Sequence, residues 1–388
     1  MIEKKADVVI VGGGIIGCST AYGLAKMGKK VIVIERDYVA SQGSGRNAGG
    51  VRVQGRLPAE LPIVMEAVEI WKTLDKELGI NSEYRQTGNV FLASSDKEKE
   101  LHEKMAKRLQ EQGLKDVRVL SEQEVRKVIP ALKQGMCKGG SYCSIDGMAN
   151  PLNTTFGYAN AAAALGVEII EHKKVDSIDL ANTRVDGVTA GDLKVKCDTL
   201  MIAIGSWSND LMEPIGIKMP ITPCRNQIFV TEVLPPIVEP FLLTPIVYCN
   251  QTYNGNMFVG NVDPDDYCLG NSANPNETKR TARNIIRYIP ALAEANIIRA
   301  WGGPLDLSAD DMPILGDVPG TEGLVMACGF SGHGFASAPY IGKLLSEHIS
   351  LGKPSYSLHA FRYKRFQETN AKVDENVYAY GQAIGKNR

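Results

Sequence analysis

The sequence predicts an α/β unit joined to an α+β unit: a domain with a parallel sheet, discontinuous along the chain, and a second domain built on an antiparallel sheet. Three observations predict it. A strand–helix–strand pattern fills the first ~35 residues. Further strand and helix patterns recur in the middle and at the end of the chain. Between them, residues 220–270 alternate apolar and polar positions between Pro, Asn and Gly, the pattern of antiparallel strands and turns.

Taken in order, Asp7–Val11 is a short β-branched run of the kind buried in parallel sheets. Six residues, Gly12 to Gly17, then lead into Cys18–Met27, which has helical character with Ala21, Leu24 and Ala25 on one face. Gly28 is placed to cap it. Lys30–Ile34 is a second buried strand ending at Glu35. Lys97–Gln112 reads as a charged surface helix and Gly157–Leu165 as an Ala-rich one. Val167–Ile170 and Thr199–Ile204 are strand-like. Thr278–Ile289 is a helix stopped by Pro290, Gly323–Cys328 a strand and Ala338–Ile349 a terminal helix. This order assigns residues 1–85, 145–215 and 300–388 to the first domain, and 86–144 and 216–299 to the second.

Composition narrows the function. The 388 residues are 44% hydrophobic and 22% charged, which excludes disordered and fibrous classes. Forty-three basic residues against 44 acidic ones, with no basic block, lack the footprint of a nucleic-acid binder. No window reaches the ~18 apolar residues of a membrane span. Lys4 and Lys5 precede an apolar run as in a signal peptide, but Glu3 and Asp7 flank it and glycines break it. The expected location is therefore cytoplasmic. Eight cysteines without a CxxC pair read as reduced, mostly buried thiols, Cys18 and Cys328 among them. Five histidines without HExxH or a cluster give no expected metal site. Trp301 reads as core.

The glycine-rich segments carry the chemistry. In Gly12–Gly13–Gly14–Ile15–Ile16–Gly17, Gly12 permits a tight turn, Gly14 lets backbone approach a pyrophosphate, and Gly17 permits close helix–strand packing. The N–H groups of Ile15 and Ile16 open the helix toward phosphate. Glu35, eighteen residues past Gly17, is placed to accept from an adenosine ribose, with Arg36 beside it. This is a Rossmann-like dinucleotide cradle. A second donor-rich loop follows in Ser41–Gly50, with Ser44, Arg46, Asn47, Ala48, Gly49 and Gly50 as candidate contacts. A third junction, Gly329–Phe335, again runs from strand to helix and brings Gly329, Gly332, His333, Gly334 and Phe335. It could aim N–H donors at an anionic flavin locus. An elongated dinucleotide with a tricyclic head needs more than one cradle, so the set points to FAD. Of the 39 glycines, 11 lie in residues 1–55 and 10 in residues 302–352, so both chain ends are expected at one cofactor.

These segments together resemble the FAD-dependent D-amino-acid oxidase superfamily. Within it they are similar to the sarcosine oxidase and glycine oxidase group, above all the β subunits of heteromeric sarcosine oxidase, proline dehydrogenase, opine oxidase and hydrogen cyanide synthase. Asp146–Pro151, Ala203–Ser208, Trp301–Gly303 and Asp310–Gly316 complete the ordered set. The resemblance implies a Rossmann-like FAD domain with an antiparallel substrate domain. It adds Val175, Gly205, Trp207 and Gly303 to the cofactor contacts. It implies oxidation of a C–N bond in a small amino acid or secondary amine of the proline, hydroxyproline, sarcosine, glycine or opine type, by hydride transfer to flavin N5.

Departures from that pattern are informative. Gly303 stands where monomeric sarcosine oxidases tether FAD through cysteine, so noncovalent FAD is expected. Asn150–Pro151 stands where a histidine would attach FMN, which leaves only a noncovalent FMN shared with a partner subunit. Phe258 stands near the oxygen-activating lysine, which favours a dehydrogenase passing electrons onward. Leu305 and Ala336 replace family carboxylate-binding residues, so Arg52 becomes the first candidate clamp. Arg225, Gln227 and Tyr248 are further substrate candidates, and Arg52, Tyr248 and His333 the catalytic ones. The alternatives are an oxygen-using oxidase that makes hydrogen peroxide, and an electron-transfer subunit of a heteromeric complex. Expected partners are FAD/NAD-binding and ferredoxin-like chains, with any iron–sulfur centre on the partner and any membrane contact peripheral, through the electron acceptor.

Overall fold

The computed structural model describes residues 2–264 and 267–368. Two eight-stranded sheets organise them. In the first, Leu324–Cys328, Leu193–Ile202, Ile2–Val11, Val31–Ile34 and Glu168–Ile170 lie side by side and parallel. Ile314–Asp317 closes one edge antiparallel, and the hairpin Ser177–Ala181 with Arg184–Ala190 adds antiparallel to Leu193–Ile202. The first strand extends beyond its apolar run, because Ile2 to Ala6 pair in register with Leu193 to Cys197. Val8–Val11 is buried without interruption, Val8 and Ile10 on one face and Val9 and Val11 on the other, which is why that part reads as continuous apolar sequence. The segment from the chain start thus stands next to one from its middle, which stands next to one from its end.

Helix boundaries follow caps that the apolar patterns understate. Ile15–Lys26 starts inside the glycine turn, three residues before the predicted start. Asp96–Glu111, Pro151–Ala164 and Pro275–Tyr288 are capped by the side chains of Ser95, Asn150 and Asn274. Leu61–Leu78, passed over by the sequence reading, is an amphipathic helix that buries Ile63, Val64, Ala67, Trp71 and Leu74. The last long helix among the described residues is Gly334–Leu351, and it packs closely against Ile15–Lys26, where Ser19 Oγ donates to the Ala338 carbonyl at 3.2 Å.

The second sheet runs Ile297–Ser308, Ile221–Val233, Asn256–Asn261, Val247–Gln251, Phe241–Leu243, Asn89–Ala93, Gly139–Cys143, Val117–Leu120. Its pairs are antiparallel except Phe241–Leu243 with Asn89–Ala93. Alternation sends Phe229, Cys249 and Val259 under the Pro275–Tyr288 helix with Ile285 and Tyr288. It sends Ile228, Tyr248 and Phe258 to the other face, with Ala48 of the Ser41–Gly50 loop. Ile297–Ser308 pairs along Ile221–Val233 from Ser308 to Ile297, so the boundary expected at residue 300 falls inside a strand. Residues 369–388, expected at the end of the first domain, lie outside the described residues.

Candidate active site

The glycine turn is closed tightly. Gly12 has φ +112°, and a Cβ there would stand 2.4 Å from the Ala203 carbonyl oxygen. A Cβ on Gly17 would stand 2.1 Å from the Gly12 carbonyl oxygen. The Ile15–Lys26 helix opens with no side-chain cap from Gly14 and no acid in its first turn, so apart from the Ile15 N–H its donor end is left for an anion. Ile15 N–H donates to Ser44 Oγ at 2.9 Å, which ties the second glycine loop to this end. Glu35 is buried and accepts from Gly13 N–H at 2.7 Å and Asp37 N–H at 2.9 Å. Arg36 stacks over the Trp207 ring at 4.5 Å.

These groups line one cleft. It runs from Glu35, Arg36, Val175, Gly205 and Trp207, past Gly12, Gly14, Ile15, Ile16, Ser44 and Asn47, to Pro304, Gly332, Gly334 and Phe335. A stacked Arg–Trp pair, an uncapped helix end and an apolar third segment fit adenine, pyrophosphate and flavin in that order. Gly17, Gly49, Gly50, Gly303 and Gly329 serve the surrounding backbone: Gly49 packs on Ala149, Gly50 pairs with Met148, and Gly303 faces Arg46. Gly329 N–H donates to Asp306 Oδ2 at 2.6 Å.

The substrate candidates divide. Arg52 lies over the rings of Phe91 at 5.8 Å and Phe241 at 5.5 Å, and Phe241 stacks on Tyr248 at 5.8 Å. Arg52, Tyr248 and the Ser41–Gly50 loop are therefore brought together. Arg225 and Gln227 are not, because strand alternation turns them to the opposite face. Gln227 Nε2 donates to Thr278 Oγ1 at 2.6 Å and its Oε1 accepts from Asn274 N–H at 2.5 Å, so it anchors a helix start. Arg225 packs along Gly302. His333 is buried with Nδ1 3.0 Å from Glu60 Oε1. Burial lowers its pKa, and Glu60 opposes that fall.

Sequence reasoning missed four groups here. Glu60 stays below the usual glutamate range despite its burial, held there by His333 and Arg56. Asp146, with no exposed surface, accepts from Val53 N–H at 2.6 Å, and burial pushes its carboxyl up to about 7. Asp306 lines the cleft, and burial pushes it up to about 6. Arg56 is buried beside Arg52. Glu60 and Asp146 lie outside any strand or helix pattern, and Asp306 is a single acid within the strand Ile297–Ser308, so none leaves a periodic trace. Only the Asp146–Pro151 segment was singled out, as a motif and not for its carboxyl.

A second cleft adjoins the first and shares Ala40, Ser41 and Asn47 with it. Arg46, Arg85, Arg299, Ala48, Asn150, Tyr253, Phe258 and Trp301 line it. Trp301 is only half-buried here, donating Nε1–H to the Arg46 carbonyl at 3.0 Å. Phe258 meets its ring edge-on at 5.7 Å. Ala40, in the shared wall, has φ +64° and donates its N–H to the Gly13 carbonyl at 3.1 Å.

Known proteins share this architecture. The L-proline dehydrogenase of P. horikoshii superposes with a TM-score of 0.89 at 26% identity, over 95% of this chain and 99% of that one. The sarcosine oxidase subunit beta of Rhizobium meliloti is 30% identical over 378 residues, 95% of this chain and 90% of its own. The hydrogen cyanide synthase subunit HcnC of Pseudomonas aeruginosa is 26% identical over 96% of this chain and 99% of its own. The DAO family profile, described as FAD dependent oxidoreductase, matches residues 7–348. With that profile matching most of the chain and a relative 30% identical over nearly its whole length, the chain belongs to the DAO family of FAD-dependent oxidoreductases.

Proposed function

We propose that this chain oxidises the C–N bond of a small amino acid or secondary amine, of the proline, hydroxyproline, sarcosine, glycine or opine type, and passes the electrons to an acceptor other than oxygen. The observation that carries the reading is Arg52, a guanidinium set over Phe91 and Phe241 beside Tyr248 at the end of the flavin loop. FAD, when bound, supplies the two-electron acceptor for a hydride from the carbon beside the neutral amine. Arg52 grips the substrate carboxylate through its planar fork. Tyr248 and the two phenylalanines surround the carbon chain and exclude water. His333, oriented by Glu60 and kept neutral by burial, is available to accept a proton. Water then hydrolyses the released imine.

The cofactor side of the reading uses the cleft residues from Gly12 to Trp207, with Gly332–Phe335 at the flavin end. Gly303 offers no side chain for a covalent tether, which supports noncovalent FAD, and Asn150 stands in place of the histidine that would attach FMN. Lys173 and Lys174 are the lysines lining the FAD cleft, and they sit at the Glu35 end, which supports an acceptor other than oxygen. The second cleft suits an interfacial FMN held by Arg46, Arg85 and Arg299 under a partner subunit. Exposed Tyr38, Leu152, Phe156 and Tyr253 are available to that partner. No described helix is long and apolar enough to cross a membrane. A cytoplasmic location, with membrane contact only through the acceptor, belongs to this reading. So does the division into a cofactor domain (1–85, 145–215, 300–388) and a substrate domain (86–144, 216–299), the last boundary moved past Ser308.

An anaerobic bleaching screen of the purified protein over D- and L-amino acids and N-alkyl amino acids tests it. Bleaching by at least one of them, with slow reoxidation in air, is expected. A protein without a flavin spectrum, or one that no amine bleaches, sinks the reading. Fast reoxidation with peroxide replaces the acceptor half with an oxidase. Activity that appears only with FAD/NAD-binding or ferredoxin-like chains present makes this an electron-transfer subunit.

A further inference from the structure

Arg52 has a neighbour of the same charge with no role so far. Arg56 is 7% exposed, and its Nε donates to the Arg52 carbonyl at 3.2 Å. Among the described residues, no carboxylate stands within ion-pair distance of either guanidinium. The two acids nearby are engaged elsewhere. Glu60 pairs with His333 at 3.0 Å and accepts from Leu57 N–H at 3.3 Å. Asp146 Oδ1 accepts from Val53 N–H at 2.6 Å. Both still act on the arginines through space, as does Tyr248 on Arg52, and none of the three supplies a fork partner.

A buried charge in a native protein ordinarily carries a partner. Burial pulls Arg56 below the usual arginine range, and pulls Arg52 down to about 10 with the charge of Arg56 adding to the fall. That is the behaviour of guanidiniums whose anions come from outside the chain. One carboxylate fills one guanidinium fork. Resting on the reading of Arg52 as the carboxylate clamp, we propose that the substrate carries two carboxylates, one for Arg52 and one for Arg56: an amino acid whose nitrogen substituent or side chain ends in a second carboxylate. Specificity then follows from what a monocarboxylate leaves behind, a buried guanidinium still without its anion.

The test uses the FAD-loaded full chain and calorimetric binding of non-oxidisable acids at constant ionic strength. Malonate, succinate and glutarate are compared with acetate and propionate. At least one dicarboxylate is expected to bind tenfold or more tighter than either monocarboxylate. Arg56→Gln is expected to erase that ratio, and Arg56→Lys to keep part of it. Equal affinity for the two classes overturns the proposal, as does an unchanged ratio in a folded Arg56→Gln. Should Arg56→Gln fail to fold, the ratio in the unmodified protein decides alone. Anaerobic bleaching then separates the carriers: N-(carboxymethyl)glycine against N-methylglycine for a nitrogen-borne carboxylate, glutamate against norvaline for a side-chain one. Monocarboxylates that bleach as fast as their partners overturn this inference and leave amine oxidation standing. A dicarboxylate preference in calorimetry with no bleaching by any amine supports the two-anion site and removes the oxidation reading.

Discussion

Asp146 shows how one buried carboxyl sets a pH dependence. Its native pKa of about 7 lies above the ordinary 3.8, so the folded state holds a proton that the unfolded state has released. Stability therefore falls as pH rises from about 4 to about 7, by up to ~4 kcal/mol for a shift of this size. Asp146→Asn keeps an oxygen for the Val53 N–H and removes the titration. The urea midpoint of the variant should vary less between pH 5 and 8 than that of the parent. An unchanged slope would assign the dependence to another group, with Asp306 the next to test. Arg52→Met makes a different prediction at the same scale. Loss of a charge-assisted hydrogen-bond pair of ~1.5–3 kcal/mol should lower kcat/KM for bleaching by roughly tenfold to 150-fold. The flavin absorbance should stay, since Arg52 does not line the FAD cleft. Loss of flavin along with activity would move Arg52 to cofactor binding.

Among the elements, the strand Ile221–Val233 separates function from support. Gln227 and Phe229 turn to the Pro275–Tyr288 helix, and Ile228 between them to Ala48 of the Ser41–Gly50 loop. Gln227→Ala should cost ~1–3 kcal/mol through the lost bonds to Asn274 and Thr278. Chemical denaturation reads that loss, and substrate KM should stay within twofold. A tenfold rise in KM would return Gln227 to the site. The helix Gly334–Leu351 is supported differently. Pro339 interrupts its hydrogen-bond ladder, and Trp71 Nε1–H reaches the Ala336 carbonyl at 2.9 Å from the Leu61–Leu78 helix. That bond spans 265 residues and holds the helix whose start faces the flavin end of the cleft.

At the scale of the molecule, segments from residues 11–47 and 327–335 line one cleft, so a bound FAD would be their common partner. Added FAD should raise the melting temperature of stripped protein, by ~2.7 kcal/mol of stability at a hundred times its dissociation constant. A response to NAD in its place would contradict the cleft assignment. The cradle was legible because its parts are local: a turn, a helix start and an acid within 35 residues. Chain-wide order made the Ser41–Gly50 loop and the Gly329–Phe335 junction legible too, and both contribute to the lining of that cleft. Side-chain direction was not. Arg225 and Gln227 sit on the expected strand, but a period of two fixes only which residues share a face, and the choice of face is made by the helix that covers it. Glu60 and His333 lie 273 residues apart, and nothing local in either segment announces the other.

Ala40, Ser41 and Asn47 form a wall with a cleft on each side. Its backbone is pinned where Ala40, in a left-handed conformation disfavoured for residues with a side chain, holds the Gly13 carbonyl. A partition one loop thick makes the two compartments poor candidates for separate tuning. A substitution at Ala40 would perturb the spectrum of a chromophore on either side, and drift by one chamber would be constrained by what its neighbour tolerates.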